Sequence, residues 1–333
     1  MNMNLKKRQH SPTENTSNCR RARIEIETLA EIQAHDYERA GRRHFILKEY
    51  ETSLVSYTKS LDILSTRSSS TEDCARLLHS IGLTYYAMKQ YDVAKRNFHM
   101  SLEMYQKLYN ANVDNEIVCN ILQNIGNAFS HLEMHVKALQ YHKKSLEMRQ
   151  RMETTRTQSN DPTVTSSMLA YSHSKLGACY YNLKDYKNAV AMHSKALEIR
   201  QNINNIDNNN TANSFHNLGS SYFRLNEYKK SVHFNLKALE MRKRLNNVDA
   251  IIASNNRLGL VYSKLRDYEK ALFYFKDALE VKEKTSNNKD DIELAKCLDH
   301  VSKAYYNLKI GKFATLFKLK AEKMRERLSL NIN

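Results

Sequence analysis

Six of the seven glycines in this 333-residue chain stand on a lattice: Gly41, Gly82, Gly126, Gly177, Gly219 and Gly259, with gaps of 41, 44, 51, 42 and 40 residues. Each heads the same pattern. Three residues on comes an aromatic or histidine (His44, Tyr85, Phe129, Tyr180, Tyr222, Tyr262), and nine on comes Tyr50, Tyr91, His135, Tyr186, Tyr228 or Tyr268. Twelve on comes Ser53, Ala94, Ala138, Ala189, Ser231 or Ala271. A small residue followed by Leu closes the unit, as in Ala196-Leu197, Ala238-Leu239 and Ala278-Leu279. A fixed period of this kind means that one supersecondary unit is repeated, each copy burying its apolar face against the next. A single large central core is not needed, and no stretch alternates as a strand would.

Each unit reads as helix A around the glycine, a turn before the tyrosine, and helix B from the tyrosine through the small-Leu pair. The turns are Met88-Lys89-Gln90, Leu183-Lys184-Asp185, Leu225-Asn226-Glu227 and Leu265-Arg266-Asp267. Two helices whose axes lie about 8–10 Å apart need Gly or Ala at the crossing, with aromatics filling beside it. A seventh, divergent unit places Ser302 in the glycine position, Tyr305 in the aromatic slot, and Ala314 and Ala321 in the small slots, with Gly311 in place of the turn tyrosine. Terminal repeats diverge because one face lacks a neighbour. Between units run Asn-rich linkers at 110–115, 204–211, 246–249 and 285–290, and a longer insertion at 152–163.

This pattern resembles the tetratricopeptide repeat family, and the resemblance covers about nine tenths of the chain. It implies an all-α fold, an α-solenoid in which stacked helix-turn-helix repeats form a right-handed superhelix. About seven repeats would span residues 24–330, behind a basic disordered arm at 1–23. The period exceeds the family's usual 34 or so, and the extra length falls in tails such as Ala-Leu-Glu-Ile-Arg-Gln (196–201) and Ala-Leu-Glu-Met-Arg-Lys (238–243). With the Asp161-Pro162 opening of the fourth repeat, an N-cap followed by Pro at the first helical position, these features resemble kinesin light chain and nephrocystin-type adaptors.

Charge and cysteine content narrow the function classes. Net charge is +16, but residues 1–23 and 309–333 carry +5 each, so the repeats between them are only mildly basic. No run approaches the ~18 apolar residues of a membrane span, and the N-terminus has no apolar stretch for a signal peptide. Five scattered cysteines suggest buried thiols in a reducing compartment. The expected location is cytoplasmic. Lys6-Lys7-Arg8 and Arg20-Arg21-Ala22-Arg23 also resemble a two-part nuclear import signal, although a solvated arm is the preferred reading.

In this family the concave surface is lined by helix A, whose outward positions lie at −6, −3, −2, +1, +4 and +5 from the glycine. Here they offer amides, histidine and aromatics where a merely solvated helix would favour Glu and Lys. Asn124, Asn127, Asn213, His216, Asn217, Asn256 and Arg257 are the candidate peptide-binding residues, with Tyr171 and Tyr181 as pocket walls. An amide both donates and accepts, so a row of them can hold an extended main chain. The same amides could instead satisfy one another across adjacent helices. The expected function is a non-enzymatic protein-interaction scaffold or adaptor with an unidentified protein or peptide partner, no cofactor and no membrane. RNA binding, or service as the regulatory repeat module of an enzyme complex, is the alternative; oligomeric state stays open.

Other signals are weaker. Co-chaperone members of the family grip a C-terminal carboxylate through five set positions. The matching residues here, Ser174, Ala178, Asn217, Ala253 and Arg257, keep only two of them, so that clamp is not expected. His131 and His135 lack the H-E-x-x-H order of a zinc helix and read as packing residues. His142 and His193 fall sixteen residues after their glycines, where other repeats carry Tyr57, Phe98 and Phe275, and so belong to an aromatic packing slot. No glycine is left over for a phosphate loop, and no nucleophile elbow appears.

Overall fold

The computed structural model of the chain describes residues 12–66, 71–109, 114–155, 162–203, 208–286 and 291–330. Among them are fourteen α-helices and no strand. They fall into two compact units, Met1–Met148 and Arg149–Asn333. The first holds α1 (Pro12–Ile46), α2 (Tyr50–Ser65), α3 (Thr71–Ala87), α4 (Tyr91–Tyr109), α5 (Glu116–His131) and most of α6 (His135–Thr155). The second holds α7 (Pro162–Asn182), α8 (Tyr186–Ile203), α9 (Asn209–Arg224), α10 (Tyr228–Arg244), α11 (Val248–Lys264), α12 (Tyr268–Ser286), α13 (Ile292–Asn307) and α14 (Gly311–Leu330). The odd-numbered helices are the seven expected A helices and the even-numbered ones their B partners. In the second unit each helix packs on the next, and α7, α9, α11 and α13 also touch in series.

The lattice glycines are required by what faces them. A Cβ on Gly41, Gly82, Gly177 or Gly259 would fall 2.5–2.8 Å from ring atoms of Tyr57, Phe98, His193 or Phe275, the residue sixteen positions on. Gly126 faces His142 in the same way. Carbon atoms prefer about 3.5–4.0 Å, so each ring lies directly on the backbone of helix A. The histidines thus occupy the aromatic slot as expected. In the fifth repeat the slot holds Asn235, which its polar character hides from the sequence pattern; it is fully buried and donates from Nδ2 to Ser231 O at 2.8 Å.

Serine reinforces the same crossing. Ser53 and Ser231 Oγ donate to Gly41 O (2.8 Å) and Gly219 O (2.7 Å). In the seventh hairpin the roles reverse: Ser302 stands in for glycine and donates to Ala314 O at 2.7 Å. A second row, Ser60, Ser101 and Ser145, donates to Ala34 O, Ala75 O and Cys119 O in the first unit. The second unit has the fully buried Ala196, Ala238, Ala278 and Ala321 at that position.

Every A–B turn is closed alike. Lys48, Lys89, Glu133, Lys184, Asn226, Arg266 and Lys309, each seven residues after the glycine position, have φ of 59–64°. In the fourth hairpin Lys184 N donates to Tyr181 O (3.0 Å) and Asp185 N to Tyr180 O (2.9 Å), the paired bonds of a Schellman ending. The Asn-rich linkers supply helix caps: Asn115, Asn208, Asn247 and Asp291 accept from backbone N–H groups in the first turns of α5, α9, α11 and α13. Linker residues 110–113, 156–161, 204–207 and 287–290 lie outside the described residues, and the Asp161 cap falls among them.

The segment expected as an arm, 1–23, is entered by α1, which begins at Pro12, a residue suited to a first helical position. Lys6-Lys7-Arg8 lies outside the described residues. No helix among the described residues is long and apolar enough to cross a membrane.

Candidate peptide-binding face

The small residues commit one side of each A helix to its B partner, so a 3.6-residue repeat leaves the −3, −2, +1 and +5 positions on another side. In the second unit α7, α9 and α11 bring these positions together around a pocket of 230 Å³. Its lining is Ala178, Tyr181 and Asn182 from α7, His216, Asn217 and Ser220 from α9, and Arg257 from α11. His193, whose ring rests on Gly177, reaches it from α8.

Burial sets the protonation of this pocket. It pushes the His193 imidazole down to about 4, with Arg200 adding to the effect, and His216 down to about 3, with Arg242 and Arg257 adding theirs. Both rings are therefore neutral at pH 7. Arg257 is the one charged group in the lining, and its guanidinium lies 5.9 Å from the centre of the Phe223 ring. Tyr181 meets Tyr186 edge-on at 5.4 Å, and the Tyr186 hydroxyl accepts from Arg224 Nε (2.9 Å) and Nη2 (2.8 Å).

Four of the nine candidate residues, Tyr181, His216, Asn217 and Arg257, thus converge on one pocket. Tyr171 lines a smaller pocket of 90 Å³ with Arg200, Asn208 and Asn210, its ring under Lys175 at 5.1 Å. The others depart from the expectation of free, outward amides. Asn213 Oδ1 accepts from Arg242 Nη2 at 3.0 Å. Asn256 Oδ1 accepts from His300 Nδ1 at 3.2 Å, and its Nδ2 approaches Cys297 Sγ at 3.7 Å. In the first unit, Asn124 Nδ2 donates to His79 Nε2 at 2.9 Å, and Asn127 is only 7% exposed. Neighbouring A helices lie close enough for an amide on one to bond a histidine on the next, so Asn124 and Asn256 tie repeats together.

Two arginines in the repeat tails, not among the candidates, do structural work beside the face. Arg242, 4% exposed, donates from Nη1 to Ser254 Oγ (2.6 Å) and Ala250 O (3.2 Å) across the α10–α11 junction. Arg200 does the same across α8–α9, to Ser214 Oγ and to Asn210 O at 3.1 Å. Both stand 23 residues after their glycine, in the Ala-Leu-Glu-x-Arg tail; that recurrence, with Ser five residues before the next glycine, is the signal that marks them in the chain. Near the first-unit turn, His131 stacks on Tyr91 at 4.4 Å, in keeping with a packing role. Among the described residues no three metal-ligating side chains gather.

The sequence matches the tetratricopeptide repeat family over residues 73–151 and 168–244, and a second form of that repeat over 252–285. No curated protein matches the chain in sequence. Among solved structures the fold is similar to RapI in its apo form, with a TM-score of 0.63 at 16% identity, covering 89% of this chain and 98% of that one. It is also similar to a Rap protein complexed with competence and sporulation factor (TM-score 0.51, 17% identity, 90% and 76% covered). Putative kinesin light chain repeats from Podosopora anserina give 0.53 at 13% identity, covering 66% and 99%. At such identities the likeness is one of fold. With the family matches spanning more than half of the chain and the glycine-ring crossings beneath them, this protein belongs to the tetratricopeptide repeat family.

Proposed function

We propose that this protein is a non-enzymatic scaffold that holds a peptide segment of a partner on the face formed by α7, α9 and α11. The observation that carries the reading is the pocket where Tyr181, His216, Asn217 and Arg257 converge, next to an amide-bearing surface. Stacked repeats of this kind create extended binding surfaces, and a Rap protein of similar fold has been solved with competence and sporulation factor. The polar groups in the lining suit main-chain and side-chain hydrogen bonding. Cys74, Cys119, Cys179 and Cys297 are buried and outside any disulfide among the described residues, which fits a reducing compartment such as the cytoplasm.

RNA binding is the competing reading, favoured by lysines placed over aromatic rings, such as Lys230 on Tyr222 (5.2 Å) and Lys270 on Tyr262 (5.5 Å). Those lysines are also paired with Glu227 (2.6 Å) and Asp267 (2.9 Å), which spends their charge within the protein. The deciding experiment mixes the purified chain with proteome-derived peptides and with single-stranded RNA at low and moderate salt. The scaffold reading requires peptide capture that survives salt and is lost when Asn217 and Arg257 are both changed to Ala. RNA capture that collapses with salt, with no peptide retained, overturns it.

A further inference from the structure

What the face selects rests on the peptide-scaffold reading and on the chemical bias of its 230 Å³ pocket. Arg257 supplies a positive charge, and no Asp or Glu lines the pocket. Among the described residues its guanidinium meets the Phe223 ring and no carboxylate. Ser220 is 8% exposed, yet its Oγ has no hydrogen-bond partner. Nδ1 of His193, 2% exposed, and Nδ1 of His216 are likewise without one. Buried polar groups are almost always bonded. Of these, Ser220 Oγ belongs to the pocket lining contributed by α9, where an occupant can complete it, whereas the His193 ring is packed on Gly177.

The character of that occupant follows from the donors. Arg257, Ser220 and Asn217 line the pocket from α11 and α9, and Asn182 and Tyr181 line it from α7. An apolar side chain would leave these groups unpaired, and a cationic one would meet Arg257. One unshared positive charge matches a monoanion. A phosphate group, near −2 at neutral pH, calls for more, and the neighbouring Arg242 is already engaged with Asn213, Ala250 and Ser254. The positions that would assist a chain-end carboxylate in related clamps are Ser174 and Ala178 here. We propose that this pocket is a carboxylate subsite that takes the side chain of an Asp or Glu within the bound segment. Arg257 forms the charge-assisted pair, and Ser220 and Asn217 donate to the same oxygens.

The test is selection of a random peptide library, held between fixed flanks so that no free C-terminus is offered, on the full chain and on its Arg257→Gln and Ser220→Ala variants. Melting curves of both variants check that they fold. Wild type should enrich Asp or Glu at one fixed position. Changing that residue to its amide, or Arg257 to Gln, should weaken a selected peptide roughly tenfold to a hundredfold. Making both changes should cost little more than one. Enriched peptides without a fixed acidic position, or ones that Arg257→Gln leaves unaffected, overturn the subsite while leaving the scaffold reading intact. So does tighter binding when phosphoserine replaces the acidic residue, or a requirement for a free chain end in synthetic versions. Failure to enrich any peptide overturns the scaffold reading itself.

Discussion

Replacing glycine by alanine should have opposite effects at Gly259 and Gly311, although both lie in helices. At Gly259 the new Cβ would stand 2.5–2.7 Å from Cε1, Cδ1 and Cζ of Phe275, about 1 Å inside normal carbon contact. The ring cannot withdraw easily: it is 3% exposed, and His300 stacks on it at 4.9 Å. Alanine gains about 1 kcal/mol of helix propensity. Overpacking a filled core costs typically about 1–3 kcal/mol, and an overlap of this size belongs at or beyond the upper end. The net expectation for Gly259→Ala is a loss of about 2 kcal/mol, or roughly 4–8 °C in melting temperature for a unit of this size. A methyl group added at Gly311 would meet nothing within 4 Å, so Gly311→Ala should be neutral or gain up to about 1 kcal/mol. Thermal and urea melting followed by circular dichroism would read both. A background of Phe275→Leu should shrink the penalty of Gly259→Ala by at least half. If Gly259→Ala melts at or above the wild-type temperature, the ring contact is not what demands glycine, and the physical reason given for the lattice fails.

Acidification should weaken the protein before its carboxylates titrate. Burial holds His79 and His193 at about 4 and His216 at about 3, below the ~6.5 of an unfolded histidine. The unfolded chain therefore binds these protons first, and the stability they confer is complete above about pH 6.5 and is lost as pH falls toward 4. The loss by pH 5 is about 2 kcal/mol per histidine; urea melts at pH 7.5 and 5.0 measure it, and His193→Phe, which borrows the ring of Phe98 and Phe275, should reduce it. A flat profile between those pH values contradicts the burial argument. Lys184→Gly should raise stability by up to about 1 kcal/mol, because a left-handed conformation (φ 64°) costs a side-chain-bearing residue about 1–2 kcal/mol, partly offset by glycine's entropy; a lower melting temperature would count against this. Arg242→Ala should cost about 2–4 kcal/mol by opening a cavity and stranding the groups it bonds. Its signature is faster amide exchange in α11, and unchanged exchange there would refute the stapling role.

The repeat was legible in the chain because its causes are periodic along it. A glycine that a ring rests on, a small residue twelve later and a turn at fixed distance must recur wherever the same crossing recurs, so the fourteen helices among the described residues and their grouping into hairpins follow from spacing alone. The outward side of helix A was legible only as a set of residue types. Whether Asn256 stays free or bonds His300, 44 residues away, depends on how closely adjacent A helices approach, and no local pattern records that distance. Asn124 and Asn213 are taken up by His79 and Arg242 for the same reason, while His193, expected only as a packing ring, also borders the pocket. Sequence thus determined the architecture, through contacts within one hairpin. Tertiary structure decided which polar groups remain unspent, because hydrogen bonds between repeats are settled by geometry in three dimensions, and it left Arg257, Asn217 and Ser220 facing one pocket.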